Sequence, residues 1–269
     1  MTTATIHRTA IVHENAELHE SVEVGPYAVI GANVKIGSGT IVGAHAVIDG
    51  YTTIGVDCRI SPGACIGLEP QDLGYKGEPT GVQIGDRTVI REYVTIHRAT
   101  KTGMTVVGSD CLLMVNVHIG HDCKIGNGVI FANAVTLAGH VHVGDSVVMG
   151  GIVTVHQHCR IGRMLMVSGF SATRQDLPPF AMCDGRPPRV RGVNMIGMRR
   201  NKLNLATRSA IKEAYRLIYR SDYSQAEALE RIEKDLAPLP EILEIVEFFR
   251  TSKRGVVWKE LRAEESDES

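Results

Sequence analysis

The sequence predicts a mainly β fold, a parallel β-helix built from repeats of six residues. An aliphatic residue returns at every sixth position from Ile6 to Val167, with two interruptions. A small or β-branched residue stands two positions before most of these, and a glycine often follows. A period of six matches neither the helical period of about 3.6 nor the strand period of about two. It fits a short strand followed by a tight corner, and a fixed internal period indicates a repeat architecture.

Three such flat sides close one triangular coil, so residues 18 positions apart are expected to stack. The aliphatic residue points inward, and the small residue two positions earlier faces the same side. The repeat covers residues 6–66, 84–96 and 107–167, which gives 25 sides, or about eight coils. The β-helix with its loops is assigned to residues 1–174.

Two interruptions of the repeat predict loops that leave the prism, at residues 68–83 and 98–106. In the first loop, Asp72 and Glu78 stand where aliphatic residues would be expected. Loops that leave a rigid scaffold commonly carry function. We therefore expect the binding site to border these two loops.

Beyond the repeat the composition changes twice. Residues 175–192 are rich in proline and arginine and predict an extended linker. Residues 193–269 predict a small C-terminal helical domain, because apolar residues recur there at helical spacing. Ser224 and Glu227 form a capping box for one of these helices.

Composition excludes several classes of protein. A formal net charge of −1 argues against general nucleic-acid binding. No apolar run reaches the roughly 18 residues that a transmembrane helix requires. The repeat begins at Ile6 and leaves no room for a signal peptide. Cys58, Cys111, Cys123 and Cys159 occupy the small-residue column, so we expect buried, reduced thiols and a cytoplasmic location.

Seven of the eleven histidines lie between residues 97 and 158. The 18-residue spacing stacks two columns of residues at one corner of the prism: His121, Gly139 and Gln157, and Asp122, His140 and His158. A hydroxyl that attacks an acyl group needs a base, and a neutral histidine suits that task near neutral pH. A carboxylate can hold the imidazole, and a glycine amide can stabilise an oxyanion. The cluster therefore indicates acyl transfer to an alcohol.

Metal binding is the competing chemistry for the same histidines. Three of them on neighbouring coils could hold Zn²⁺ with an open coordination position, as in trimeric zinc hydratases of the carbonic anhydrase type. However, His118 and His121 are three positions apart and should point to different sides of a strand. We therefore expect no metal site and keep the zinc hydratase as an alternative.

Longer motifs make the interpretation specific. They are IGLEPQDLGYKGEPT (66–80), IREYVTIHRAT (90–100), VGSDCLLMVNVHIGHDCKIGN (107–127), ANAVTLAGHV (132–141), GGIVTVHQHCRIG (150–162) and GVNMIGMRR (192–200). With these motifs the chain resembles the UDP-N-acetylglucosamine O-acyltransferases that begin lipid A synthesis. The resemblance implies a left-handed β-helix and a homotrimer with sites between adjacent prisms. It implies transfer of a 3-hydroxyacyl group from acyl carrier protein to the glucosamine 3-hydroxyl, with no cofactor beyond the carrier's phosphopantetheine thioester.

The resemblance also assigns roles to individual residues. His121 matches the general base, Asp122 its carboxylate support, and Gly139 the donor of an oxyanion amide. Gly169 matches a position whose bulk sets acyl-chain length, and we expect a longer chain here than with methionine. The positions that match substrate contacts are Asp72, His97, His118, His140, Gln157, Asn194 and Arg200. The positions that depart from the family pattern are Gly74, Pro187, Ile196 and Asn201. Another hexapeptide-repeat acyltransferase or acetyltransferase is the second alternative.

Overall fold

The computed structural model describes residues 4–101 and 103–258. Short parallel strands, numbered in chain order, build three flat sheets around one axis. Face A contains β1 Thr5–Ile6, β4 Glu23–Val24, β7 Ile41–Val42, β10 Arg59–Ile60, β13 Val89–Ile90, β16 Leu112–Leu113, β19 Ile130–Phe131, β22 Val148–Met149 and β25 Met166–Val167. Face B contains β2 Ile11–Val12, β5 Val29–Ile30, β8 Val47–Ile48, β11 Cys65–Leu68, β14 Thr95–His97, β17 His118–Ile119, β20 Thr136–Leu137, β23 Thr154–Val155 and β26 Ala172–Thr173. Face C contains β3 Glu17–Leu18, β6 Lys35–Ile36, β9 Tyr51–Ile54, β12 Gly81–Ile84, β15 Met104–Val107, β18 Lys124–Ile125, β21 His142–Val143 and β24 Arg160–Ile161.

The predicted inward residues form the core of the prism. Ile48, Ile66 and Ile96 are each 0% exposed, and a buried aliphatic side chain of this size contributes roughly 1.5–3 kcal/mol. Ile6 on the first coil is 44% exposed, because no earlier coil among the described residues covers it. Strand β26 adds one side to the 25 predicted. Its inward residue is Thr173, which an aliphatic pattern does not detect and whose hydroxyl donates to the Gln175 carbonyl at 2.7 Å.

The strand register measures the two loops. His118 pairs with Thr136 at the expected spacing of 18. Cys65 instead pairs with Thr95, 30 positions later, and Thr95 pairs with His118, 23 positions later. The excess over 18, which is 12 and 5 residues, is the length that each insertion adds to its coil. Both loops leave where face B turns into face C, and we call this corner the B–C edge; the other two are the C–A edge and the A–B edge.

The loops are shorter than the interruptions predicted. Residues 81–83 and 104–106 were expected in the loops but belong to β12 and β15, which pair over four residues. The residues that leave the prism are therefore 69–80 and 98–103. The prediction failed at these boundaries because the six-residue period marks only one inward residue per side. A longer strand places a second residue inward, two positions earlier.

The predicted linker, residues 175–192, is built into the fold as part of a hairpin. Strands β27 Ala181–Gly185 and β28 Pro188–Val193 pair antiparallel, and β27 extends face A beside β25. Four helices follow, α1 Met195–Arg200, α2 Leu205–Tyr219, α3 Gln225–Asp235 and α4 Pro240–Arg250. The capping box of Ser224 and Glu227 is present at the start of α3. Of the predicted domains, residues 1–3 and 259–269 lie outside the described residues, as does residue 102 of the second loop.

Two arginines of the last coil fasten the helices to the prism. Arg160 Nε donates to Asp176 Oδ2 at 3.1 Å, and its Nη2 donates to the Phe248 carbonyl at 2.7 Å. Arg163 Nε donates to Glu244 Oε2 at 2.6 Å. The helical domain therefore packs on the end of the prism. Across residues 4–101 and 103–258, none of the helices is both long and apolar enough to cross a bilayer.

Candidate active site

The B–C edge gathers the predicted cluster. Along it follow the two loops and then three corners, residues 120–123, 138–141 and 156–159. The third residue of each corner has a left-handed backbone, with φ of 59° at Asp122, 60° at His140 and 63° at His158. The His140 amide donates to the His121 carbonyl at 2.9 Å, and the His158 amide donates to the Gly139 carbonyl at 3.1 Å. The corners thus stack in the register that the sequence spacing predicted.

His121 and Asp122 form a hydrogen-bonded pair. His121 Nδ1 lies 2.8 Å from Asp122 Oδ2, and the two side chains are only 14% and 15% exposed. A carboxylate accepts a hydrogen bond from Nδ1–H, so the lone pair of the neutral ring is on Nε2. The arrangement is that of a histidine base held by a carboxylate.

Asp122 has further partners that the sequence did not predict. Its Oδ2 accepts hydrogen bonds from the Thr100 amide at 3.1 Å and from the Thr100 hydroxyl at 2.8 Å. The Asp122 amide donates to Thr105 Oγ1 at 2.9 Å. Burial works to raise the pKa of the Asp122 carboxyl, but the hydrogen bonds from His121 and Thr100 outweigh burial and lower it. The carboxylate is therefore ionised across the neutral pH range.

Gly139 lies directly against the base. A Cβ atom at this position would be 2.4 Å from both Cε1 and Nε2 of His121, so only glycine fits beside the ring in this conformation. Within the described residues the Gly139 amide donates to no acceptor. An N–H next to Nε2 is available to an oxyanion that forms there.

A second pair of histidines lies on face B beside the base. The rings of His97 and His118 meet edge to face at 5.0 Å, and His118 Nδ1 lies 2.7 Å from Thr95 Oγ1. His97 is 8% exposed, and among the described residues its Nδ1 has no partner. Burial, with His118 and His121 nearby, lowers the pKa of His97 to about 4, and burial also lowers the pKa of His118. Both rings are therefore neutral hydrogen-bonding groups near neutral pH.

His140 continues the cluster along the edge. Its Nε2 is 3.7 Å from Asp122 Oδ2, and its ring stacks on His158 at 4.6 Å. Burial lowers the pKa of His140, while the charges of Asp122 and Asp72 oppose this effect. Asp72 thus reaches the neighbourhood of His140 from the long loop, where its Oδ1 accepts from the Gly74 amide at 2.8 Å. Gln157 is exposed at the adjacent corner.

Three predicted site residues lie elsewhere on the same chain. Asn194 is 7% exposed and caps α1, and its Nδ2 donates to the Met164 carbonyl at 2.8 Å on the C–A edge. Arg200 ends α1 and is exposed. Gly169 is exposed in the corner between β25 and β26, on the A–B edge. A single prism therefore does not bring these three residues to His121.

A groove on face B adjoins the base. It has a volume of about 740 Å³ and starts at Ala138, next to Gly139. Its wall is formed by short side chains such as Thr154 and Ala172, and Pro187 lies at its margin. The groove therefore begins beside the base and is bordered by both short side chains and the polar residues His156, Arg174 and Arg186.

The same cluster offers one set of metal ligands within the described part of the chain. His121, Asp122 and His140 each place a ligand atom within 4.8 Å of the others. Asp122 Oδ2 already accepts from His121 and twice from Thr100. A cation bound through Asp122 Oδ2 would compete with these hydrogen bonds.

Comparison with known proteins identifies the family. The family model described as UDP N-acetylglucosamine O-acyltransferase, domain 2, matches residues 176–257, and the bacterial transferase hexapeptide model matches residues 15–50 and 104–139. The acyl-[acyl-carrier-protein]–UDP-N-acetylglucosamine O-acyltransferase of Thermodesulfovibrio yellowstonii is 51% identical over 214 residues, which cover 79% of this chain and 83% of the relative. The chain belongs to this acyltransferase family. The family predicted from the motifs is thereby confirmed, and the protein is an acyltransferase.

Solved structures agree with this assignment. The UDP-N-acetylglucosamine O-acyltransferase of Moraxella catarrhalis superposes with a TM-score of 0.90 at 43% identity and covers 94% of this chain and 99% of its own. The UDP-N-acetylglucosamine acyltransferase of Francisella novicida superposes with a TM-score of 0.92 at 37% identity, over 96% and 95% of the two chains. The predicted fold class, a left-handed parallel β-helix followed by a small helical domain, is confirmed.

Proposed function

We propose that the protein transfers a 3-hydroxyacyl group from acyl carrier protein to the glucosamine 3-hydroxyl of UDP-N-acetylglucosamine, the first step of lipid A synthesis. The observation that carries this proposal is the His121–Asp122 pair with Gly139 packed against Nε2. The names of the related proteins support acyl carrier protein and UDP-N-acetylglucosamine as the two substrates. No other cluster of the described residues combines a histidine base, its carboxylate and a free amide in this way.

The reaction follows from this geometry. His121 Nε2 removes the proton of the sugar 3-hydroxyl as its oxygen attacks the thioester carbonyl carbon. The new C–O bond gives a tetrahedral oxyanion, which accepts a hydrogen bond from the Gly139 amide. The C–S bond then breaks, and the leaving thiolate takes the proton from the imidazolium. Asp122 stabilises the imidazolium between these steps, and the atoms balance without a further co-reactant.

A homotrimer is part of this proposal. Asn194, Arg200 and Gly169 lie on other edges of the prism than His121, so they would reach the substrate from an adjacent copy. The guanidinium of Arg200 suits the diphosphate of the sugar nucleotide. The acyl chain would occupy the groove on face B, with Gly169 of the next prism limiting its length. The cytoplasm is the proposed location, since all six cysteines are free thiols.

The proposal is tested by transfer to radiolabelled UDP-N-acetylglucosamine from a panel of 3-hydroxyacyl carrier proteins. The wild type should form the 3-O-acyl sugar, and His121→Ala should lose about 10²- to 10⁴-fold in kcat. Full activity in His121→Ala would show that His121 is not the base. Lack of transfer by the wild type from every donor would show that the proposed function is wrong. In the same panel, Gly169→Met should move the preference to shorter donors.

A second candidate rests on the ligand cluster of His121, Asp122 and His140. A metal-dependent hydratase would use that cluster with an open coordination position for water. Elemental analysis of the purified protein separates the two functions. Stoichiometric zinc in the wild type, together with loss of both the zinc and the hydratase activity in His140→Ala, would favour the hydratase over the acyltransferase.

A further inference from the structure

The second loop, residues 98–103, supplies two hydrogen bonds to the carboxylate of Asp122. Both come from Thr100, whose amide and hydroxyl donate to Oδ2 at 3.1 and 2.8 Å. The same oxygen accepts a hydrogen bond from Nδ1 of His121 at 2.8 Å. Three donors therefore converge on one carboxylate oxygen, and two of them belong to a residue that lies outside the repeat.

The surrounding contacts fix the position of Thr100. The residue is 5% exposed. Just before it, the Arg98 guanidinium donates to the Tyr75 hydroxyl at 3.0 Å and to the Gly67 carbonyl at 3.1 Å, and the Thr80 hydroxyl donates to the Ala99 carbonyl. The long loop and the prism thus hold the start of the second loop from both sides. The Thr100 hydroxyl is presented to Asp122 by a fixed backbone.

We propose that Thr100 is a positioning residue for acyl transfer, which orients His121 by holding the Asp122 carboxylate. The inference rests on the proposed function only in that acyl transfer is taken as the reaction that Thr100 supports. A carboxylate free to rotate about its side-chain bonds would hold the imidazole in several orientations, and only one of them aims Nε2 at the substrate hydroxyl. Hydrogen bonds to a charged acceptor are among the stronger ones in proteins. Thr100 therefore reduces the carboxylate to a single orientation.

This role predicts an effect on kcat rather than on KM. Thr100 contacts Asp122 and is covered by the loop, whereas the substrate meets His121 from the side of Gly139. Loss of the hydroxyl should leave substrate binding intact and reduce the fraction of enzyme with a correctly aimed base. An interaction that matters only as the reaction proceeds lowers kcat and kcat/KM together.

The test compares three substitutions in the full-length protein. Thr100→Val keeps the shape of the side chain and removes the hydroxyl, and kcat should fall roughly ten- to a hundredfold with KM unchanged. Thr100→Ser keeps the hydroxyl and should restore most of the activity. Thr88→Val is the matched control. The Thr88 hydroxyl is equally buried and donates to the Gly108 carbonyl at 2.9 Å on the C–A edge, so this variant should keep the wild-type kcat.

A double-mutant cycle identifies the path of the effect. In an Asp122→Ala background, Thr100→Val should cause little further loss, because the group on which Thr100 acts is gone. Additive losses would overturn the inference, as would a Thr100→Val enzyme with wild-type kcat or a Thr100→Ser enzyme as impaired as the valine variant.

A measurement without substrate separates this inference from the proposed function. The rate at which diethyl pyrocarbonate modifies His121, followed by mass spectrometry, reports how firmly the ring is held. Modification should be faster in Thr100→Val than in the wild type and unchanged in Thr88→Val. Equal rates in all three proteins would overturn the positioning role. If Thr100→Val is modified faster but the wild type transfers no acyl group, the positioning role is supported and the proposed reaction is rejected.

Discussion

Two edges of the prism have the same corner geometry but use the second residue of each corner differently. On the C–A edge this side chain caps the backbone amide of the preceding coil. Asp86 Oδ1 accepts from the Val56 amide, Ser109 Oγ from Asp86, Asn127 Oδ1 from Ser109, and Asp145 Oδ1 from Asn127, all at 2.7–2.9 Å. On the B–C edge the second residues are His121, Gly139 and Gln157, and no such ladder joins them within the described chain.

The difference separates scaffold from site. A capped amide is satisfied within the protein, so the ladder on the C–A edge satisfies the amides of Val56, Asp86, Ser109 and Asn127. Gly139 has no side chain with which to cap the amide of His121, and the exposed Gln157 does not cap that of Gly139. The B–C edge therefore keeps a free donor at Gly139, which the proposed reaction would use for the oxyanion. Three predictions probe this contrast.

The largest effect is expected from Gly139→Ala. The added Cβ would lie 2.4 Å from two atoms of the His121 ring, so the ring must move away from its catalytic position. We expect kcat to fall by roughly a hundredfold or more. Gly192→Ala is the control, because a Cβ there meets nothing within 4 Å. Wild-type kcat in Gly139→Ala would show that the contact with His121 has no catalytic role.

The second prediction concerns pH. His97 has a folded-state pKa of about 4, below its ordinary 6.5, so between these values the unfolded chain binds a proton that the folded protein does not. Stability should therefore fall as the pH drops from 6.5 to 4, with a contribution from His97 of at most about 3 kcal/mol. His97→Gln should weaken this dependence in denaturant unfolding series at several pH values, and the exposed His7→Gln should not. An unchanged slope in His97→Gln would contradict the buried neutral ring.

The smallest effect is expected from a substitution that introduces the capping pattern of the C–A edge at the B–C edge. Gln157→Asn introduces the residue type that caps the Ser109 backbone amide on the C–A edge. The shorter side chain should accept a hydrogen bond from the Gly139 backbone amide. We expect the free energy of unfolding to rise by about 1 kcal/mol and kcat to fall about tenfold, because the oxyanion loses its donor. Asp145→Ala should show the reverse pattern, with a loss of roughly 1–2 kcal/mol in stability and an unchanged kcat. A stabilised Gln157→Asn enzyme with full activity would argue against the Gly139 amide as the oxyanion donor.

The repeating features of the prism could be predicted from the sequence, whereas the features that break the repeat could not. The six-residue period predicts the buried aliphatic residues, and its multiple of 18 places His121 and Gly139 on neighbouring coils of one corner. Thr100 was not predicted because it lies in the second loop, which shifts the spacing between paired strands by five residues. Strand β26 was not predicted because the residue that it buries, Thr173, is polar.

The C-terminal region was predicted only in part. The hairpin of β27 and β28 was read as a linker, because its proline and arginine content resembles that of an unpaired segment. Asn194, Arg200 and Gly169 were predicted from motifs rather than from geometry. Their distance from His121 along one prism could not be read from sequence, because stacking arithmetic applies only within a single edge.

The two loops also show that the B–C edge accepts inserted segments of different length. Each coil bonds mainly to the coils before and after it, so the strand ladders continue unbroken across insertions that stretch the spacing from 18 to 30 or 23. Loop length at this edge can therefore vary without rebuilding the core. A graft at residues 69–80 would have to keep Tyr75 and Thr80, because their hydrogen bonds hold the start of the second loop and with it Thr100.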